Sequence, residues 1–197
     1  MSPIVAVISV VFAYVIGTLP SAIIIAKSKG VDITSTGSGN PGASNVARAL
    51  GWKYGIMVFV LDAAKGAIPV TATLSDRPIA YMCGAAAILG HIFPITRKFK
   101  GGKGIATGAG VLLPFHPVIM LSAAVGWIAI MKVSKKASIA SIVIVPLVLV
   151  AVAITTDEIW EVLSFIGIGV LIEIRHLSNI KRLLTGTEPP VTESHSS

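Results

Sequence analysis

Long apolar runs recur along almost the whole of this chain, and they leave few folds open. Ile4–Ala26, Ile56–Leu74, Ile79–Ile95, Ile105–Met131, Ala137–Ile154 and Ile159–Ile174 carry few charges between them. Inside a bilayer every backbone polar group needs an internal partner, so runs of this kind span as helices. Composition agrees: 13% of residues are charged, about half the usual share of a soluble domain, and mean hydropathy is +0.86. The fold class expected is all-α, a polytopic membrane protein with one helical domain over 1–185 and a polar tail over 186–197. The tail, Thr185–Ser197, is expected to be disordered at its end.

The cations then set the topology. Ile4–Ala26 has no positive start and is followed by Lys27 and Lys29, so it reads as a retained first span, not a signal peptide. Pro20 is expected to kink it or to end its regular part. Ile105–Met131 is interrupted by Pro114-Phe-His-Pro117. Read as one span, it puts Lys132, Lys135 and Lys136 opposite the cations of residues 97–103. Read as two, with a turn at Pro114–Pro117, both clusters share one side. The second reading wins by the positive-inside rule, although Ile105–Leu113 then measures only about 14 Å. The result is seven transmembrane helices, with the N-terminus outside and the C-terminus cytoplasmic. Fourteen of the 16 Lys and Arg then fall on the cytoplasmic side. The net charge of +7 therefore reports topology and anionic headgroups, and no nucleic-acid partner is expected. Cys83 is the only cysteine. It permits no internal disulfide and packs as a small hydrophobe. No zinc-ligand spacing occurs, so no metal is expected.

Three polar segments meet on the cytoplasmic face under this topology. The most informative is Gly90–Thr107, GHIFPITRKFKGGKGIAT, where Arg97, Lys98, Lys100 and Lys103 stand among Gly101, Gly102 and Gly104. Glycines leave amides open and lysine adds a mobile charge, which suits a phosphate, above all where a helix N-terminus follows. A basic loop that only fixes orientation would need the lysines but not the glycines. The second segment is Gly37–Arg48. Its GSGNPG matches GxGxxG, but no strand precedes it and no βαβ unit follows, so a dinucleotide fold is rejected. Asn40 is expected to cap a helix with Pro41 at its first position. Ser44 and Arg48 then share a face, Asn45 lies beside them, and Ser38 offers a hydroxyl. The third is Arg175–Gly186. A continuing last helix aligns Arg175, Asn179 and Arg182, with His176 three residues before Asn179. Each segment alone has a plain structural reading as a cap, turn or basic helix end. Converging, they make an anion pocket at the cytoplasmic interface.

Asp62 and Lys65, at i, i+3 in the second run, read as a structural pin remote from the polar loops. Gly104-xxx-Gly108 suits close helix packing, and His116 has no chemical role. A Walker A motif fails, because Lys103 is followed by glycine. No His-x-x-x-x-Asp occurs: the residues five places after His91, His116 and His176 are Thr96, Leu121 and Lys181.

SGNPGASNVAR (Ser38–Arg48), GHIFPITRKFKGGKGIAT (Gly90–Thr107) and IRHLSNIKRLLTG (Ile174–Gly186), with LDAAKG (Leu61–Gly66), run in order over nearly the whole chain. In them the chain resembles the bacterial membrane glycerol-3-phosphate acyltransferase family that uses acyl phosphate as donor. Ala43-Ser44 stands where that family often has Ala-Thr, which keeps the hydroxyl. The resemblance implies a seven-helix inner-membrane enzyme without a cofactor, with glycerol 3-phosphate and acyl phosphate as substrates and membrane lipids around it. Acyl phosphate carries a good leaving group, so the missing His/Asp dyad is no obstacle. Substrate binding is expected from Ser38, Asn40, Asn45, Arg48, Lys100, Gly101, Gly102, Lys103, Gly104, Thr107, Asn179 and Arg182. The amides of Gly101–Gly104 are expected to help hold the acceptor's phosphate. His91 and His176 are expected to orient substrate or relay a proton. No carboxylate falls within the three segments, so the acceptor's own phosphate is the expected base. The alternative class is a transporter of phosphate-bearing solutes, for which only Asp62 and Lys65 offer polar lining within the membrane.

Overall fold

The computed structural model describes residues 1–191; the expected disordered end of the tail, 192–197, lies outside the described residues. Among the described residues every regular element is helical: α1 Pro3–Gly17, α2 Ser21–Lys27, α3 Ala43–Leu50, α4 Trp52–Thr73, α5 Arg77–Ile92, α6 Ile105–Phe115, α7 Pro117–Ser134, α8 Ala137–Thr155, α9 Ile159–Arg175 and α10 Leu177–Leu184. Five stretches are long and apolar enough to cross a membrane: Pro3–Lys27, Trp52–Thr73, Arg77–Arg97, Pro117–Ser134 and Ala137–Thr155. The helices α6 and α9 are shorter. The chain breaks at His116, and Pro117 opens α7, because proline at the first helical position gives up an amide that has no partner there anyway.

Small residues bring the helices together. A Cβ on Gly17 would lie 2.3 Å from the Ala87 carbonyl oxygen and one on Gly90 2.2 Å from that of Tyr14, so α1 and α5 touch backbone to backbone. Between α4 and α6, Gly66 lies against the Thr107 carbonyl and Gly110 against that of Ala63. The sequence pair Gly104 and Gly108 faces Ile172 of α9 instead. Pro20 does interrupt the first run, between α1 and α2. The carbonyl of Leu19 at that break accepts from the Lys65 ammonium, which also lies 2.5 Å from Asp62 Oδ1.

At one end of the bundle, Arg77 of α5 pairs with buried Glu161 of α9 at 2.5 Å, and Tyr81 donates to the same carboxylate. The polar segments gather at the other end. There Lys103 donates to Asn179, Arg48 to Ser38 and to the Pro190 carbonyl, and Val191 N–H to the Lys135 carbonyl.

Two helix ends differ from the sequence expectation. Gly42, not Asn40, is the N-cap of α3, which starts at Ala43; the Asn40 carbonyl accepts from Gly42 N–H, closing a tight turn that keeps Pro41 outside the helix. The last helix does not run on through Arg182. At His176 the ring Nδ1 bonds the Ile172 carbonyl at 2.8 Å, while His176 N–H turns to Glu173, and the chain restarts as α10.

Candidate active site

Two cavities meet at the polar end. The larger, about 780 Å³, runs from Ser38, Arg48, Lys103, His176 and Asn179 into an apolar wall made by α6, α7, α8 and α9. Its volume is that of a small-molecule site. The smaller, about 500 Å³, is lined by Arg97, Lys100, Arg175 and Arg182 among others. Ser38, Asn40 and Lys103 line both. The large cavity also has a side mouth, where its lining residues Trp52, Ile56 and Phe59 of α4 and Ile128 of α7 are exposed, Ile56 to 56%.

The loop between α5 and α6 is built for close approach. Gly101 N–H donates to the Ile92 carbonyl and Gly102 N–H to that of His91, both at 3.1 Å, so the loop folds back onto the end of α5. A Cβ at Gly102 would stand 2.2 Å from His91 Nε2. These two glycine amides are therefore spent on carbonyls that the end of α5 leaves open. The sequence expectation turns these amides toward a phosphate, whereas here they face the end of α5. Gly102 and Thr107 line neither cavity, and Thr107 is fully buried, its carbonyl against Gly66. Gly104, at φ +89°, precedes the first turn of α6, and Gly104, Ile105 and Ala106 form part of the cavity wall.

Around Lys103 a chain of polar contacts closes. Its ammonium donates to Asn179 Oδ1. Asn179 Nδ2 donates to Glu188 at 2.7 Å, and Arg182 Nε donates to the other carboxylate oxygen at 2.7 Å. Burial, and after it the nearby Arg182, lower the Lys103 pKa to about 8 against the opposing pull of Glu188. Burial alone would raise Glu188, but donors from Ser138, Asn179 and Arg182 outweigh it and hold its carboxyl below the usual range. Burial also takes the His176 ring down to about 4, so the ring is neutral at neutral pH. With Nδ1–H given to the Ile172 carbonyl, Nε2 is left as an acceptor.

Arg48 Nη2 donates to Ser38 Oγ at 3.2 Å. Asn45 is fully used: it accepts from Ser38 N–H and donates to the Ile33 and Thr36 carbonyls, so it ties down the segment that presents Ser38. Asn45, Arg48, His91, Gly104, His176 and Asn179 line the large cavity, and Lys100, Gly101 and Arg182 the small one.

Sequence reasoning missed two carboxylates. Asp62, read as remote, lines the large cavity, and its Oδ1 lies 4.0 Å from His91 Nδ1. Glu188, assigned to a tail, is buried in the site, and residues 186–191 fold back across it to Lys135. The available signal was Gly186 ending a helix, followed by an acidic residue beside Pro189 and Pro190 in a basic region. Among the described residues no three His, Cys, Asp or Glu side chains gather as a metal site.

The family profile described as Glycerol-3-phosphate acyltransferase matches residues 7–186. A protein of Aquifex aeolicus (strain VF5) with the same description is 41% identical over 91% of this chain and 95% of that protein. One of Macrococcus caseolyticus (strain JCSC5402) is 42% identical, over 91% and 93%. The crystal structure of PlsY (YgiH), an integral membrane glycerol 3-phosphate acyltransferase, in its glycerol 3-phosphate form superposes with a TM-score of 0.90. It is 40% identical and covers 94% of this chain and 95% of that one. The lysophosphatidic acid form gives 0.88.

Proposed function

The chain belongs to the glycerol-3-phosphate acyltransferase family, and on that premise we propose that it moves a fatty acyl group from acyl phosphate to the 1-hydroxyl of sn-glycerol 3-phosphate. The products are lysophosphatidic acid and inorganic phosphate. We place the enzyme in the bacterial cytoplasmic membrane, crossing it seven times with this site on the cytoplasmic side. The observation that carries the reading is the junction: a cationic cup and an apolar cavity share Ser38, Asn40 and Lys103. That arrangement brings a soluble phosphoester against a lipid donor.

In this reading Lys103, Arg48, Ser38 and Asn179 hold the acceptor's phosphate, with Lys100 and Arg182 at the rim. His176 Nε2 orients the glycerol, while Asn45, Gly101 and Gly102 act through the loops they fix. The hydroxyl oxygen attacks the acyl carbon, the carbon–oxygen bond to phosphate breaks, and the phosphate leaves with the electron pair. Cations held in place beforehand stabilise both the oxyanion and the leaving group. The released proton goes to the acceptor's own phosphate, whose second pKa is about 6. The neighbouring side chains suit this: His176 and Glu188 are both weak bases when their pKa values lie low.

The test is purified protein in detergent with acyl phosphate and glycerol 3-phosphate. Release of lysophosphatidic acid without a bilayer excludes pure transport of phosphate-bearing solutes. Lys103→Ala and Arg48→Ala are each expected to lose about 10²-fold or more in kcat/KM. His91→Ala and His176→Ala are expected to keep both limbs of the pH–rate profile. A limb lost at intact substrate binding would make that histidine the base.

A further inference from the structure

Three helices line the large cavity over the same length. On α7 the lining residues run from Met120 to Lys132, on α8 from Ala137 to Leu149, and from Phe165 of α9 to His176 just past its end. These are steps of eleven or twelve residues, about 16–18 Å of helix, and in each the lining positions recur three or four residues apart, on one face. At the polar end stand His176, Ser138 and Lys103. At the far end Met120, Leu149 and Phe165 come together with Leu112 and Val148 as one apolar cluster.

Phe165 is buried, and its ring meets Tyr81 edge-on at 5.4 Å, Phe115 at 6.0 Å and His116 at 5.5 Å. Behind it Tyr81 is held by Glu161, which Arg77 pairs with in turn. The cavity thus has a braced floor. Along its length Trp127 gives its N–H to Ser141, which in turn donates to the Ala137 carbonyl.

We infer that Phe165, with Met120 and Leu149, forms the floor that sets the acyl-chain length this enzyme accepts. The inference rests on the acyl-transfer reading. A zigzag of about 1.5 Å bonds advances roughly 1.3 Å per carbon, so a wall of about 16–18 Å beside the reacting carbonyl holds about a dozen methylenes. Each methylene that leaves water is worth about a factor of four. Selectivity therefore climbs with chain length until the floor is reached, near fourteen carbons, and then flattens or falls. Removing the ring at the floor deepens the cavity. Filling it one helical turn nearer the mouth, at Ala124 of α7, shortens it by about 5 Å, roughly four carbons.

The experiment uses the purified full chain and saturated acyl phosphates of 10 to 20 carbons, with kcat/KM measured for each. For Phe165→Ala the optimum is expected to move two to four carbons longer, and for Ala124→Phe about four shorter. Met120→Ala gives a second lengthening variant that leaves the Tyr81 contact intact. The readout is a ratio between donors, so partial loss of folded protein does not move it. Transfer with the same length profile in all variants overturns the inference and leaves the acyl-transfer reading standing. No transfer by the parent chain with any donor overturns that reading itself.

Discussion

Lys103 must keep its proton while half-buried and crowded by cations. Burial and then Arg182 bring its pKa to about 8, with Glu188 pulling the other way. Two opposite pH effects follow. Above about 8 the free enzyme loses the charge that meets the phosphate, so KM for glycerol 3-phosphate is expected to rise, by up to about tenfold per pH unit. Lys103→Arg should flatten that limb, because guanidinium stays charged, at the cost of weaker binding at pH 7. Stability runs the other way: between about 8 and the ordinary lysine value of 10.5 the unfolded chain holds a proton that the folded chain has lost, so stability increases with pH across that window. Thermal midpoints from pH 7.5 to 9.5 and KM at the same values check both signs. Glu188→Gln removes a negative neighbour, so the KM limb should move to lower pH. At this scale the sequence marked Lys103, Arg48, Ser38 and Asn179 by residue type and segment, and these are side chains that the fold brings together. Partner choice was not legible. GGKG states that the backbone passes close to something, but that the something is the end of α5 and the His91 ring depends on where the chain turns back.

The second helical run shows how an element carries a local pin into the site. Asp62, Lys65 and the Leu19 carbonyl join α4 to the break between α1 and α2, and Asp62 continues to His91. Asp62→Leu leaves the Lys65 ammonium buried without its counter-charge, a loss of about 3–5 kcal/mol. Adding Lys65→Met removes the stranded charge and should recover much of it. A thermal-unfolding double-mutant cycle in detergent reads the coupling, and strictly additive effects would show the two charges to be independent. The close contact of α4 with α6 is a second weak point. A Cβ at Gly110 would stand 1.9 Å from the Ala63 carbonyl oxygen, so Gly110→Ala should lower the thermal midpoint through about 1–3 kcal/mol of overpacking. Prolines made the breaks at residues 18–20 and at 116 readable in advance. The break at His176 was not, since IRHLSNIKRLL contains no residue that stops a helix. It arises because the His176 ring takes a carbonyl that its own amide would otherwise use, and that competition is invisible to periodicity.

Across the whole molecule charge is sorted by end. Eight of the sixteen Lys and Arg lie within the three segments that converge on Lys103, whereas Lys65 sits within α4 and Arg77 at the far end near Asp76, paired with Glu161. Apolar runs were enough to anticipate an all-helical membrane protein, because they report the bilayer directly. They did not anticipate residues 186–191 crossing the site, since a short polar stretch carries no periodicity, and Glu188 is specified only by what it meets. The seven-crossing topology adds one requirement: α6 and α9, both short, must cross with the others. If they do, Ser75 and Asp157 face outward, while Lys29 and Lys181 face the cytoplasm. All four are exposed. With Cys83 replaced by alanine, single cysteines introduced at these positions should separate cleanly under a membrane-impermeant maleimide applied to intact cells. The Ser75→Cys and Asp157→Cys variants are expected to react, and the Lys29→Cys and Lys181→Cys variants only after lysis. The informative position is Asp157, because it lies beyond both α6 and α7 on the chain. If α6 and α7 crossed as a single span and the rest followed in order, residue 157 would change sides while residue 75 would not. Labelling at 157 only after lysis would therefore place Lys132, Lys135 and Lys136 outside. That cannot be squared with the bond between Lys135 and Val191, which ties that loop to the same polar end as Lys103.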